Sequence, residues 1–202
     1  MLFEPCVKIL GYDFVLYPEV DMGKDIMDYG IGIEDYDIKD YEGDAHKRAK
    51  EHTGGVVCND DFSHARVLAD KMMSYAGVQD VISIYSGKLP ENVYGKPINS
   101  TEAKLIRILV DDTSGLAWVK HLEANVKNKI ELYKASDQTL RHFFSVGTCY
   151  RLELKDIDKT NACKAIGDFN DPDATKCLNE IFEKKIKDAE EVDLEDSRTE
   201  CQ

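Results

Sequence analysis

The chain has 202 residues with 39 acids and 26 bases, a formal net charge of −13. Its hydrophobic fraction of 43%, with 7 Phe, 10 Tyr and one Trp, is enough for a buried core and argues against wholesale disorder. No apolar run approaches the ~18 residues of a membrane span, and the acidic start Met-Leu-Phe-Glu has no basic leader segment, so neither a membrane-spanning nor a secreted protein is expected.

Residues 1–60 hold 14 acids and 6 bases and read as an N-terminal extension. Within it, residues 7–10 and 14–17 are short β-prone runs, and residues 21–41 are rich in Asp, Tyr and Gly with no steady period. Residues 43–53 read as a short exposed helix stopped by Gly54-Gly55. A second helix over residues 62–75 places Ala65, Leu68, Ala69, Met72 and Tyr75 on one stripe, with Asp61 to cap it and Gly77 to end it. The sequence then turns β-like. Residues 78–86 form a strand, residues 87–100 a loop broken by Pro90, Gly95 and Pro97, and residues 103–110 the strongest strand, β-branched and alternating. Asp111-Asp112-Thr113-Ser114-Gly115 is a turn signal, and residues 116–120 read as the returning strand of a hairpin. Residues 121–144 are helical in part. Residues 149–155 alternate Tyr150, Leu152 and Leu154 with Arg151, Glu153 and Lys155, and residues 162–166 give a last short strand. Asp171-Pro172-Asp173 caps a final helix over residues 173–190, and residues 191–202 read as an acidic disordered tail.

The six cysteines are spread along the chain without a CxxC pair, which points to reduced thiols in an intracellular protein. The middle segment, residues 61–155, has 11 acids and 13 bases, so any groove for a polyanion is expected there. Histidines 46, 52, 64, 121 and 142 form no HExxH, and no P-loop, GxGxxG or GxSxG is present. His52, Cys58 and His64 match no standard zinc spacing. No catalytic residue, metal or cofactor is expected.

Five strands, a helix between the third and fourth, and an amphipathic helix after the fifth predict an all-β core with added helices: a five-stranded OB-fold Greek-key barrel over residues 61–190. The run from Leu105 through the Asp111-Asp112-Thr113-Ser114-Gly115 turn to Val119 resembles the strand–turn–strand of the middle subunit of replication protein A, and of its telomeric Stn-type paralogue in the CST complex. Residues 77–84, 144–152 and 168–172 are similar to that family's first strand, its entry to strand four and its junction into the pairing helix. The resemblance implies a non-catalytic subunit of a single-stranded DNA-binding complex, nuclear if the source is eukaryotic. It implies nucleic-acid contacts at Tyr85, Lys104, Arg107, Trp118, Lys120, Arg151 and Lys155, with Tyr94, Arg141 and Tyr150 as further candidates. Trp118 shares a strand face with Leu116, so it either lines the barrel or stacks a base. Leu178, Ile181, Phe182, Lys185 and Ile186 either cap the barrel or form the face that binds other OB-fold subunits, as the resemblance implies. The excess of acid leaves a second reading open: an acidic interaction protein, or a nucleic-acid mimic that inhibits a basic partner.

Overall fold

The segment between the two central strands decides the topology. In the computed structural model, which describes residues 6–9, 12–15, 38–59, 62–137, 140–153 and 165–193, residues 91–100 are helical and not a loop. Pro90 sits at the N-cap, where a missing N–H is harmless. Pro97 falls in the last turn, where its carbonyl still accepts from the Thr101 N–H at 3.1 Å. A helix in this position lets the strands before and after it run in the same direction.

The elements, in chain order, are β1 (Cys6–Ile9), β2 (Tyr12–Val15), α1 (Ile38–Glu51), β3 (Val57–Asn59), α2 (Phe62–Ser74), β4 (Val81–Ser86), α3 (Glu91–Ser100), β5 (Leu105–Val110), α4 (Ala124–Lys127), β6 (Ile130–Lys134), β7 (Phe143–Val146), β8 (Cys149–Glu153), β9 (Ala165–Asp168), α5 (Pro172–Lys187) and β10 (Glu190–Glu191). β1 and β2 form a small hairpin. The other eight strands make one open mixed sheet in the order β10-β6-β5-β4-β7-β8-β9-β3. β4, β5 and β6 are parallel, and the remaining pairs are antiparallel.

This overturns the expected five-stranded OB barrel. The sheet does not close on itself, since β3 and β10 are free edges. The expected return strand over 116–120 is instead a 3-10 turn, Ala117–His121. The Asp-Asp-Thr-Ser-Gly signal is still a turn: Asp112 Oδ1 accepts from the Ser114 N–H and Oδ2 from the Ser114 hydroxyl, both at 2.8 Å. The chain leaves that turn away from β5, so no hairpin forms.

Strand alternation supplies two apolar faces. Ile82, Ile84, Ile106, Ile108, Val110, Leu132, Phe144 and Val146 pack under α1, α2 and α3. Tyr85, Leu109, Phe143, Tyr150, Leu152 and Ile166 pack under α5. Both faces are covered, which explains why β4 and β5 read as near-continuous apolar runs. Tyr41, Ala45 and Ala49 of α1 join the first core, and β3 pairs with β9, so residues 38–59 belong to the same layered body as the central strands. Asp171 caps α5 through the Ala174 N–H at 2.9 Å, with Pro172 opening the helix as the sequence predicts. Among the described residues no helix is long and apolar enough to cross a membrane.

Candidate functional site

The parallel strands end together. β4 and β5 pair in register up to Ser86 and Val110, and the backbone ladder continues past them, with the Asp111 N–H on the Ser86 carbonyl (3.2 Å) and the Asp112 N–H on the Gly87 carbonyl (3.0 Å). β7 begins and β8 ends at this same edge, because Tyr85 lies opposite Phe143 and Phe143 opposite Leu152. β7 and β8 are joined by a tight turn at Gly147, whose φ of +57° suits glycine. That register sets His142 and Glu153 across from each other, with the Glu153 N–H on the His142 carbonyl at 2.9 Å.

The side chains at this edge form a closed network. His142 Nε2–H donates to Asp111 Oδ2 at 2.8 Å and Nδ1–H to Glu153 Oε2 at 3.3 Å. Arg151 donates to Glu153 Oε1 at 3.0 Å. The Tyr85 hydroxyl donates to Asp111 Oδ1 at 2.8 Å, and its ring meets the imidazole edge-on at 5.1 Å. The side chains are 13% exposed for His142, 10% for Asp111, 11% for Glu153 and 2% for Arg151. Burial alone would lower the imidazole pKa, but the bonds to Asp111 and Glu153, and then their charges, push it up to about 10. Burial would raise the Glu153 carboxyl, yet the His142 bond and the Arg151 charge bring it down to about 2. The imidazole is therefore a cation at neutral pH, with both N–H groups occupied. In that state it has no lone pair for nucleophilic attack or proton abstraction. The two ring nitrogens point to different carboxylates, and among the described residues no group of His, Cys, Asp or Glu is placed to hold a metal ion.

Sequence reasoning did not assign a role to His142, Asp111 or Glu153. The available signal was the turn: once Gly147 is recognised as the apex of a hairpin, a histidine and a glutamate 11 residues apart fall opposite each other.

The expected nucleic-acid residues do not assemble into a groove. Tyr85 is buried with its hydroxyl on Asp111, so it presents no face to a base. Arg151 is buried against Glu153. Arg107 points towards α5, where it grips the Glu183 carboxylate, lies 3.4 Å from Glu131 and has its guanidinium 5.6 Å from the Phe182 ring centre. Lys104 sits at the opposite end of β5 from Asp111. Lys120 lies in the 3-10 turn, and Lys155 is outside the described residues. Trp118 is half-buried and donates its indole N–H to the Leu89 carbonyl at 3.0 Å. The three further candidates, Tyr94, Arg141 and Tyr150, are all buried. Of the two roles open to the stripe on α5, the structure shows it covering its own sheet. Leu178, Ile181 and Phe182 are buried against their own sheet, Ile186 packs beside them, and Lys185 is tied to Asp137. The greasy stripe of α5 covers Leu109, Phe143 and Leu152 and leaves little for another subunit.

The open concavity lies elsewhere. A cleft of about 1280 Å³ runs between α1, α2, α3 and the Ala117–His121 turn. Its floor includes Val67, Pro97, Trp118 and Leu122, and its rim carries both signs of charge in Arg66, Lys96, Glu91 and Glu123.

No protein-family model matches this sequence, and no curated protein matches it. Solved structures do. TrmBL2, described as an archaeal chromatin protein with a novel mode of DNA binding, superposes with a TM-score of 0.53 at 17% identity, over 93% of this chain and 77% of that one. Nuc from Salmonella typhimurium, a phospholipase D family member, gives 0.53 at 15% identity, over 69% of this chain and 99% of that one. NucT from Helicobacter pylori gives 0.50 at 9% identity, over 69% and 100%. The chain thus resembles the phospholipase D-like fold. At these identities the likeness is one of fold alone, and activity has to be argued from the residues.

Proposed function

We propose that this chain is a non-catalytic binding module on a phospholipase D-like fold, and that it engages a partner protein through the cleft beside Trp118. The observation that carries the reading is the double clasp on His142: both ring nitrogens are occupied by carboxylates. The two carboxylates and two cations of the clasp cancel, so the edge offers a phosphodiester no net positive charge. The cleft has the anatomy of a protein contact, with an apolar floor and a charged rim, and its mixed signs suit a partner segment that carries both charges. The net charge of −13 speaks against a polyanion as the main ligand.

Two measurements test this. Incubation with bis(p-nitrophenyl) phosphate and with single-stranded oligonucleotide across pH 5–9 is expected to give no turnover; hydrolysis that disappears in His142→Asn would overturn the non-catalytic half. A photo-crosslinker placed at Asn92 or Asn99, on the cleft, is expected to capture one protein that the same group at Lys104 does not. Equal capture at all three sites, or saturable single-strand binding at low salt with no protein captured, would favour a DNA-binding role and, with it, a nuclear address in a eukaryote.

A further inference from the structure

The cleft and the His142 clasp are joined by one short loop, residues 87–90, and every residue in it is held from outside. At one end, a Cβ on Gly87 would lie 3.1 Å from His142 Cε1, so the loop backbone rests on the imidazole. The Gly87 carbonyl also takes the Asp112 N–H at 3.0 Å, which ties the loop to the segment that carries Asp111. Next, the Lys88 carbonyl is pressed against Gly115, where a Cβ would collide with it. Leu89 then has a φ of +49° although it is not glycine, and its side chain is fully buried. Its N–H reaches the Ser86 hydroxyl at 3.3 Å. At the other end, the Leu89 carbonyl accepts from the Trp118 indole, and Trp118 lines the cleft with Glu91, Asn92 and Gly95. A bulky residue in the left-handed region is held there only while its surroundings impose it. Leu89 is therefore a strained position, and its neighbours on one side are cleft residues and on the other the clasp.

We propose that residues 87–90 are a switch loop that transmits occupancy of the Trp118 cleft to the Asp111–His142–Glu153 clasp. An occupant that draws the indole N–H away from the Leu89 carbonyl removes one of the restraints on Leu89. The loop then relaxes, Gly87 and Asp112 move together, and the Asp111 carboxylate shifts relative to the imidazole. The groups that face His142 and register this are Asp111 after β5, Glu153 and Arg151 on β8, and Tyr85 on β4. Coupling of this kind is reciprocal, so a push at His142 must also be felt at Trp118. The proposal rests on the reading of the cleft as the docking face.

The test needs no ligand, because Trp118 is the only tryptophan in the chain and reports its own environment. In the full-length protein, the His142 ring resonances are followed by NMR against pH in wild type and in Trp118→Phe, which keeps an aromatic ring and removes the indole N–H. The expected result is a midpoint lower by about one pH unit, a tenfold weaker hold on the proton. Conversely, Gly87→Ala presses the loop from the imidazole side, and the Trp118 emission maximum is expected to shift. If either folded variant leaves the distant readout where it was in wild type, the link is overturned; should Trp118→Phe fail to fold, Gly87→Ala decides. Failure of the partner-capture experiment would leave both of these readouts untouched, so the two proposals fail separately.

Discussion

Charged side chains meet opposite fates at the sheet edge and in the cleft. At the edge, Asp111, His142, Arg151 and Glu153 are almost wholly withdrawn from water, and each is bonded to another charge. In the cleft, Lys96 is 77% exposed and Glu42 54% exposed, and each reaches a mostly buried partner, Asp70 or Lys71, at 3.0 Å. The contrast follows from desolvation. A charge taken out of water must be matched in full, while one left in water need not be. The edge, with its histidine between acids, looks more like a catalytic centre, yet this same matching ties up both imidazole nitrogens. The shallower, wetter cleft is where groups remain available to a second molecule.

The contrast makes its sharpest demand at Glu153. Glu153→Ala takes the anion from a buried guanidinium and one of two carboxylates from a buried imidazolium, and the expected loss is ~3–5 kcal/mol of stability. For a chain of this size that lowers Tm by roughly 6–20 °C, readable by thermal circular dichroism. A loss below ~1 kcal/mol would show that water already reaches the edge and would dissolve the distinction between the two regions.

The same network sets a pH window. His142 has a folded pKa of about 10 against an ordinary value of 6.5, so its contribution is complete below pH 6.5 and is lost as pH rises towards about 10. Glu153 has a folded pKa of about 2 against an ordinary 4.5, so its contribution is complete above pH 4.5 and is lost as pH falls towards about 2. The two describe one shared bond from either end and are not additive. Chemical denaturation from pH 3 to 10 is expected to show a plateau near pH 4.5–6.5 with declines on both sides. In His142→Asn the alkaline decline should flatten; an unchanged alkaline limb would place its cause outside the clasp.

Several single elements were legible in the residues, but the open layered sheet they build was not: a closed barrel was expected instead. The stripe in α2, the β-branched run in β5 and the Asp171-Pro172 start of α5 are local signals, and each formed where the sequence placed it. What failed was pairing. The direction of β5 relative to β4 depends on what joins them, and Pro90, Gly95 and Pro97 concealed a helix there. With α3 read as a loop, a hairpin and a small barrel became the economical solution. The clasp was hidden for a related reason: Asp111, His142 and Glu153 come from three separate segments, and only the register of an open sheet brings them together.

The same contrast between buried and reachable groups holds for two thiols, Cys149 and Cys177. Burial first, and then the charges of Asp168 and Asp80, push the Cys149 thiol up to about 12, and the thiol also donates to the Phe169 carbonyl at 3.3 Å. Cys177 on α5 is half-buried. With iodoacetamide at pH 8, peptide mapping is expected to find Cys149 unmodified in the native protein and labelled only in denaturant, with Cys177 labelled earlier. Early labelling at Cys149 would mean that β8 and the Phe169 turn open locally, at a free energy well below that of global unfolding.

The smallest effect belongs to the cleft. Lys96 Nζ lies 3.0 Å from Asp70 Oδ1, but Asp70 is also held by Lys71 at 3.2 Å, and Lys71 by Glu42 at 3.0 Å. Lys96→Ala removes one of two cations facing Asp70, but Asp70 keeps Lys71 and the lysine head was already hydrated. The expected change in stability is ~0.5 kcal/mol or less, near the limit of a urea titration. Partner capture at the cleft, by contrast, should weaken several-fold, because a rim charge acts on encounter with a ligand more than on the fold. A substitution that leaves stability alone and alters binding is what an open site predicts. If Lys96→Ala instead destabilised the protein as much as Glu153→Ala, the cleft rim would have to be part of the structural core.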